Sequence, residues 1–235
     1  MNDVIGRVFG FEKEVFPNQR ALYSKLATEG QSPKALVISC ADSRIVPEQI
    51  MQADPGDIFV CRNAGNIVPP FGAQNGGTVA SVEFAVMALG ITEIIVLGHS
   101  DCGAMKGLSG DPAKLVSMPS VAGWLRHGAA ARQVVDDSYP ELDGDDRVRA
   151  TAQENVAIQV QHLRTHPAVA AGMARGEISL HGWFVDIKAG QVLALDGQSN
   201  RFVPLTDEDK PLPVAVPAQR RLLADVDAVD APAAA

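Results

Sequence analysis

Cysteine is scarce in this chain: Cys40, Cys61 and Cys102 are the only three in 235 residues. So small and odd a number excludes the disulfide framework of a small secreted domain. It leaves metal binding or catalysis as the better use for a thiol. Basic residues are also in the minority, 20 against 28 acids, giving a net charge of −8. A nucleic-acid binder needs a basic face, so nucleic acid is not an expected partner. No apolar run approaches the roughly 20 residues of a membrane span, and the opening Met1-Asn2-Asp3-Val4 lacks the basic-then-apolar order of an export signal. Both point to a cytoplasmic protein with no membrane partner. Gly65 and the Gly76-Gly77 pair are not placed between a strand and a helix as a phosphate-cradling fingerprint requires, so a dinucleotide is not expected either. There is no internal repeat.

What the chain does have is apolar residues, 46% of the total, enough for a sizeable core. Asn2 to Phe16 and Asn18 to Glu29 carry helical spacing, with Pro17 expected to break them into two helices and Gly30 to stop the second. Ala35 to Ser39, Ile58 to Cys61 and Glu93 to Gly98 are short, continuous apolar runs, the pattern of strands buried on both faces. Between the second and third lies Thr78 to Leu89, where Val79, Val82, Val86 and Leu89 form one stripe of a helix closed by Gly90. Further helices are predicted at 102–108, 120–133, 145–164 and 166–176. Ile178 to Ile187 and Gln191 to Leu195, separated by Ala189-Gly190, predict a hairpin. The expected fold is α/β: a central, mostly parallel sheet with helices on both faces, a helical arm over 1–30 and a C-terminal antiparallel hairpin. One domain should span 1–203, followed by a Pro- and Ala-rich arm over 204–235, flexible by composition.

The chemistry concentrates at strand ends, where open parallel sheets form their crevices. Cys40-Ala41-Asp42-Ser43-Arg44 puts a thiol, a carboxylate and a guanidinium within five residues after the first strand. His99-Ser100-Asp101-Cys102 puts two soft ligands three residues apart after the third. Zinc favours thiolate and imidazole, and a catalytic site leaves its fourth position to water. Cys40, His99 and Cys102 make such a set of three. Alone, the His99/Cys102 spacing fits a buried cysteine near a loop histidine better than a metal site; the coincidence of all three at strand ends carries the metal reading. Two thiolates cancel the charge of the ion, so its water is acidified less than at a three-histidine site, and a hydrogen-bond partner gains in value. Asp42 is the candidate, held ionised and off the metal by a bidentate pair with Arg44. Cys61 reads as a small core residue. His127, His162, His166 and His181 read as surface or packing histidines, and Trp124 and Trp183 as core.

With these residues assembled, the chain resembles a β-class carbonic anhydrase over about residues 20 to 200. The resemblance rests on Cys40 to Arg44, on Arg62-Asn63-Ala64-Gly65-Asn66, on Gly98 to Gly103 and on His181-Gly182-Trp183. It implies one zinc ion per subunit on Cys40, His99 and Cys102, with the Asp42–Arg44 dyad beside it. It implies reversible hydration of CO2 to bicarbonate and a proton through zinc-bound hydroxide, with Gly103 against the substrate. Homodimers embraced by their N-terminal helices are implied too, and dimers of dimers beyond that. Gln31 and Phe59 match the substrate-pocket positions of plant-like members, and Phe84 stands where those carry Tyr. Val37 replaces the Trp of members with an inhibitory bicarbonate site, which places the likeness with the permanently open type.

Two other functions fit the same residues. A hydrolase of CO2 analogues such as carbonyl sulfide or carbon disulfide would use the same metal with a different pocket. A non-catalytic zinc protein would need a fourth protein ligand, and no further Cys or His has suitable spacing.

Overall fold

The computed structural model describes residues 2–73, 75–206 and 213–214. Among the described residues the five strand runs read above, with one further strand, form a six-stranded sheet in the order β2-β1-β3-β4-β5-β6. Its strands are β1 (Ala35–Cys40), β2 (Ile58–Asn63), β3 (Glu93–His99), β4 (Ser179–Asp186), β5 (Gln191–Leu195) and β6 (Phe202–Pro204). The first four run parallel, and β5 and β6 return antiparallel. All six residues of β1 are buried, because successive side chains point to opposite faces and both faces are covered. Leu36, Ile38, Ile94, Val96 and Leu180 share one core cluster; Ala35, Val37, Ile95 and Leu97 share another.

Among the described residues nine α-helices dress this sheet: α1 (Asn2–Gly10), α2 (Phe16–Glu29), α3 (Pro47–Ile50), α4 (Gly77–Met87), α5 (Gly103–Ser109), α6 (Pro119–Leu125), α7 (Ala129–Ser138), α8 (Gly144–Leu163) and α9 (Pro167–Ala174). One face packs against Val82 and Ala85 of α4, Val156, Val160 and Leu163 of α8, and Val169 and Met173 of α9. The other is covered by Ile45 and by Ile50 and Met51 at the end of α3. The long helix α8 runs close to the sheet because Gly98 and Gly182 leave a notch for Val156. A Cβ on Gly98 would lie 2.4 Å from Val156 Cγ2, and one on Gly182 2.8 Å from Cγ1. No helix among the described residues is long and apolar enough to cross a membrane.

The structure departs from the sequence reading in three places. Pro17 does not break the N-terminal helix. A π-type segment, Phe11–Val15, lies between α1 and α2, with Phe16 N–H donating to Phe11 O and Pro17 in the first turn of α2. The extra residue in that turn lets the proline ring clear the preceding carbonyls, and Asn18 Nδ2 donates to Glu14 O at 2.9 Å. The single helix expected over 120–133 is instead α6, a 3₁₀ turn at Arg126–Gly128, and α7. The joint falls where Gly128 passes α8, its Cβ direction 3.1 Å from both Asn155 Oδ1 and Leu108 Cδ2. Finally, β6 adds a third antiparallel strand to the predicted hairpin. Most of the arm expected over 204–235 lies outside the described residues; Val214 N–H donates to Leu180 O at 2.9 Å.

Candidate metal centre

β1 and β3 are neighbours, with Ser39 opposite Leu97, so their carboxyl ends deliver Cys40 and His99 side by side. The chain then turns through Asp101, whose φ of +58° is the left-handed conformation that Asp adopts more readily than most residues with a side chain. This brings Cys102, at the start of α5, back to the same point. The ligand loop is tied to the end of β4, since Ser100 N–H donates to Val185 O and Ile187 N–H donates to Ser100 Oγ, both at 2.9 Å.

The ligating atoms of Cys40, His99 and Cys102 all lie within 4.8 Å of one another, and this trio does not include Asp42. The two sulfurs are 4.0 Å apart. His99 is fully buried. Its Nδ1 lies 2.8 Å from Ser100 O, and a carbonyl only accepts, so Nδ1 carries the proton. Nε2 is left with a free lone pair and no hydrogen-bond partner. A buried, unpartnered imidazole nitrogen beside two thiols is costly unless an ion takes its lone pair. The set therefore fits a thiolate- and imidazole-loving cation, and the Ser100 carbonyl is the outer partner that orients such a ligand. Between the sulfurs, the hydrogen bond from Cys102 draws Cys40 down to about 4. Donating that bond, with burial, pushes the Cys102 thiol well above the usual thiol range.

Asp42 stands next to this trio, with Oδ2 4.0 Å from His99 Nε2. Arg44 grips it with a fork: Nε to Oδ1 at 2.9 Å and Nη2 to Oδ2 at 2.8 Å, with Arg44 N–H on Oδ1 at 3.0 Å. That grip holds the Asp42 carboxyl far below the usual carboxylate range. Arg44 also reaches Asp101, Nη1 to Oδ2 at 2.6 Å and Nη2 to the carbonyl at 3.1 Å, so it ties the first ligand loop to the second. Asp101 is paired on its other side with Lys106. Below, Arg62 donates to Cys40 O at 3.1 Å and Asp42 O at 2.7 Å.

The structure gathers Cys40, Asp42, Arg44, His99, Cys102 and Gly103. It does not bring Gln31, Phe59 or Phe84 to them within one chain. Phe59 pairs with Leu36, four residues before Cys40 on β1; at about 3.3 Å per residue that is some 13 Å back along the strand. Its ring meets Phe84 at 6.0 Å, and both line a groove of about 700 Å³ along α4. Gln31 is exposed in the loop before β1. Trp124, read as core, is half-buried and donates from Nε1 to Ala64 O at 2.8 Å. His162 and His166 lie on the far stretch of the 64–71 loop, binding the carbonyls of Val68 and Pro69 at 2.8 and 3.0 Å, and burial lowers both. Asn155 and Gln159 of α8, which drew no notice in the sequence, are fully buried and hold the same loop.

A parallel α/β sheet whose strand ends converge two cysteines, a histidine and an arginine-clamped aspartate defines a metalloenzyme of the soft-ligand, open-site kind. Residues 35–192 match the family model described as carbonic anhydrase. The chain is 48% identical over 207 residues to the carbonic anhydrase of Pseudomonas aeruginosa, covering 88% of this chain and 93% of that one. It is 44% identical over 205 residues to carbonic anhydrase 1 of Escherichia coli O157:H7, covering 87% and 92%. The solved structure of the β-carbonic anhydrase CcaA superposes with a TM-score of 0.86 at 43% identity over 90% of this chain and 94% of that one. The chain belongs to the carbonic anhydrase family, in its β class.

Proposed function

We propose that this protein hydrates CO2 reversibly to bicarbonate and a proton at one zinc ion held by Cys40 Sγ, His99 Nε2 and Cys102 Sγ. The single observation that carries the zinc reading is the fully buried, unpartnered Nε2 of His99, a residue whose ligating atom lies within 4.8 Å of both sulfurs. Bound there, zinc supplies the Lewis acidity that makes water a nucleophile, though less of it than at a three-histidine site, because two thiolates cancel its formal charge. The rest falls to the chain. Asp42, kept anionic by Arg44, offers Oδ2 as an acceptor to the water's O–H and turns the oxygen lone pair toward the carbon of CO2. Water's oxygen bonds to that carbon, its released proton passes to buffer, and bicarbonate departs. Arg44, fixed by Asp101, keeps Asp42 from swinging in as a fourth ligand. This pairing, with Val37 where a Trp would mark an inhibitory bicarbonate site, supports the open, plant-like type.

A homodimer is the proposed unit. Val4, Ile5, Val8 and Phe9 of α1 and Phe84 and Met87 of α4 are exposed apolar residues that one chain leaves uncovered. A second copy would also bring the groove carrying Phe59 and Phe84 toward a neighbouring centre. A β-carbonic anhydrase of Sordaria macrospora, 30% identical with a TM-score of 0.74 over 83% of this chain and 95% of that one, is tetrameric. The test is stopped-flow CO2 hydration beside carbonyl sulfide turnover on the zinc-loaded protein. Fast CO2 hydration is expected; zinc-loaded protein inactive on CO2 above pH 8 would overturn the reading.

A further inference from the structure

The loop between β2 and α4 passes under Cys40, and one peptide in it is held from two sides. Gly65 N–H donates to Cys40 Sγ at 3.4 Å. The carbonyl of that same peptide unit belongs to Ala64, and it accepts the Trp124 indole N–H at 2.8 Å. A trans peptide is planar with its C=O and N–H pointing opposite ways. A grip on the oxygen therefore aims the hydrogen. The next carbonyl, Gly65 O, accepts Asn155 Nδ2 at 3.0 Å, and Asn155 Oδ1 accepts Gln159 Nε2 at 2.9 Å. Gly65 itself is required. Its φ is +81°, and a Cβ would lie 2.9 Å from Ala104 Cβ and 3.0 Å from Met105 Cε.

We propose that Trp124 is a positioning residue for the metal centre: with Asn155, it locks the Ala64–Gly65 peptide so that its N–H stays on the Cys40 sulfur. A thiolate that accepts a hydrogen bond gives less charge to its metal, and the fixed donor holds the sulfur in place for the ion, so that losing it costs affinity. In a centre with two thiolates, the hydrogen bond restores Lewis acidity where the ligand set spends it. The proposal rests on the zinc reading above. It concerns Trp124 specifically, because Asn155 and Gln159 are buried and their removal would leave each other unpaired, whereas the half-buried Trp124 can lose its N–H and keep its ring.

The test compares the wild type with Trp124→Phe, and with Trp183→Phe as the same truncation at the chain's other tryptophan. Each is loaded with Co(II), and zinc affinity is measured by chelator competition at pH 7.5. In Trp124→Phe the sulfur-to-cobalt charge-transfer band is expected at longer wavelength, and zinc binding weaker by roughly tenfold. Trp183→Phe should match the wild type in both. Band and affinity unchanged in Trp124→Phe would overturn the proposal, as would equal changes in both variants. A wild type that binds neither cobalt nor zinc would instead overturn the zinc reading itself.

Discussion

Asp42→Asn tests the dyad at the cost of one atom. The carboxylate makes three hydrogen bonds: Arg44 N–H at 3.0 Å and Nε at 2.9 Å on Oδ1, and Nη2 at 2.8 Å on Oδ2. An amide keeps one oxygen for the first two and turns its NH2 toward Nη2 or toward the centre, so one charge-assisted bond is lost. Such a bond contributes about 1.5–3 kcal/mol. Arg44 is 43% exposed, so water replaces much of that, and about 1 kcal/mol of stability is the expected loss. The catalytic loss should be larger. The acceptor that orients the nucleophile becomes neutral and in one rotamer a donor, so kcat should fall about 10²-fold or more. Zinc content should not change, since Asp42 lies outside the ligand trio. Because the folded Asp42 titrates far below its ordinary value, its contribution is complete above about pH 4 and is lost only as pH falls through the folded value. The comparison at pH 8 therefore reads chemistry, not titration. Stopped-flow hydration with metal analysis on the same samples is the assay. Full turnover in Asp42→Asn with zinc bound would refute the role assigned here.

Zinc uptake at pH 7 to 8 should release fewer than two protons, because the hydrogen bond between the two sulfurs lowers one thiol of the pair and raises the other. Calorimetry in buffers of different ionisation enthalpy reads this number, and release of two protons would mean independent, ordinary thiols. Gly98→Ala places a methyl 2.4 Å from Val156 Cγ2 and should cost about 2 kcal/mol, a fall of about 4–8 °C in thermal midpoint. Val156→Ala in the same chain should restore part of that loss; a midpoint unchanged by Gly98→Ala would contradict the notch.

The parts of this molecule legible in its sequence are those whose partners are close in the chain or share a strand end. Cys40 with Asp42 and Arg44, and His99 with Cys102, could be read because each set spans a few residues after a continuous apolar run, and parallel topology does the rest. Contacts between distant segments left no local mark. Trp124 reaches Ala64 across 60 positions, and Asn155 reaches Gly65 across 90. An indole and a helical amide carry no motif, so sequence alone makes Trp124 a core residue and gives Asn155 no role. Phe59 and Phe84 are a different case. Their types suit an apolar substrate wall, but type alone does not give place: within one chain the register of β2 sets Phe59 well back from the metal ligands, and the Phe84 ring of α4 lies 6.0 Å from it. Pro17 carries the local mark of a helix break and makes none, because a π-type turn absorbs what an α-helix cannot.

X-ray absorption at the zinc edge of the purified protein bears on all of this. Two sulfurs at about 2.3 Å with two nitrogen or oxygen neighbours near 2.0 Å, one of them exchangeable with solvent, is the predicted environment. Absence of stoichiometric zinc, or a shell closed by a third sulfur or by the Asp42 carboxylate at pH 8, would contradict it.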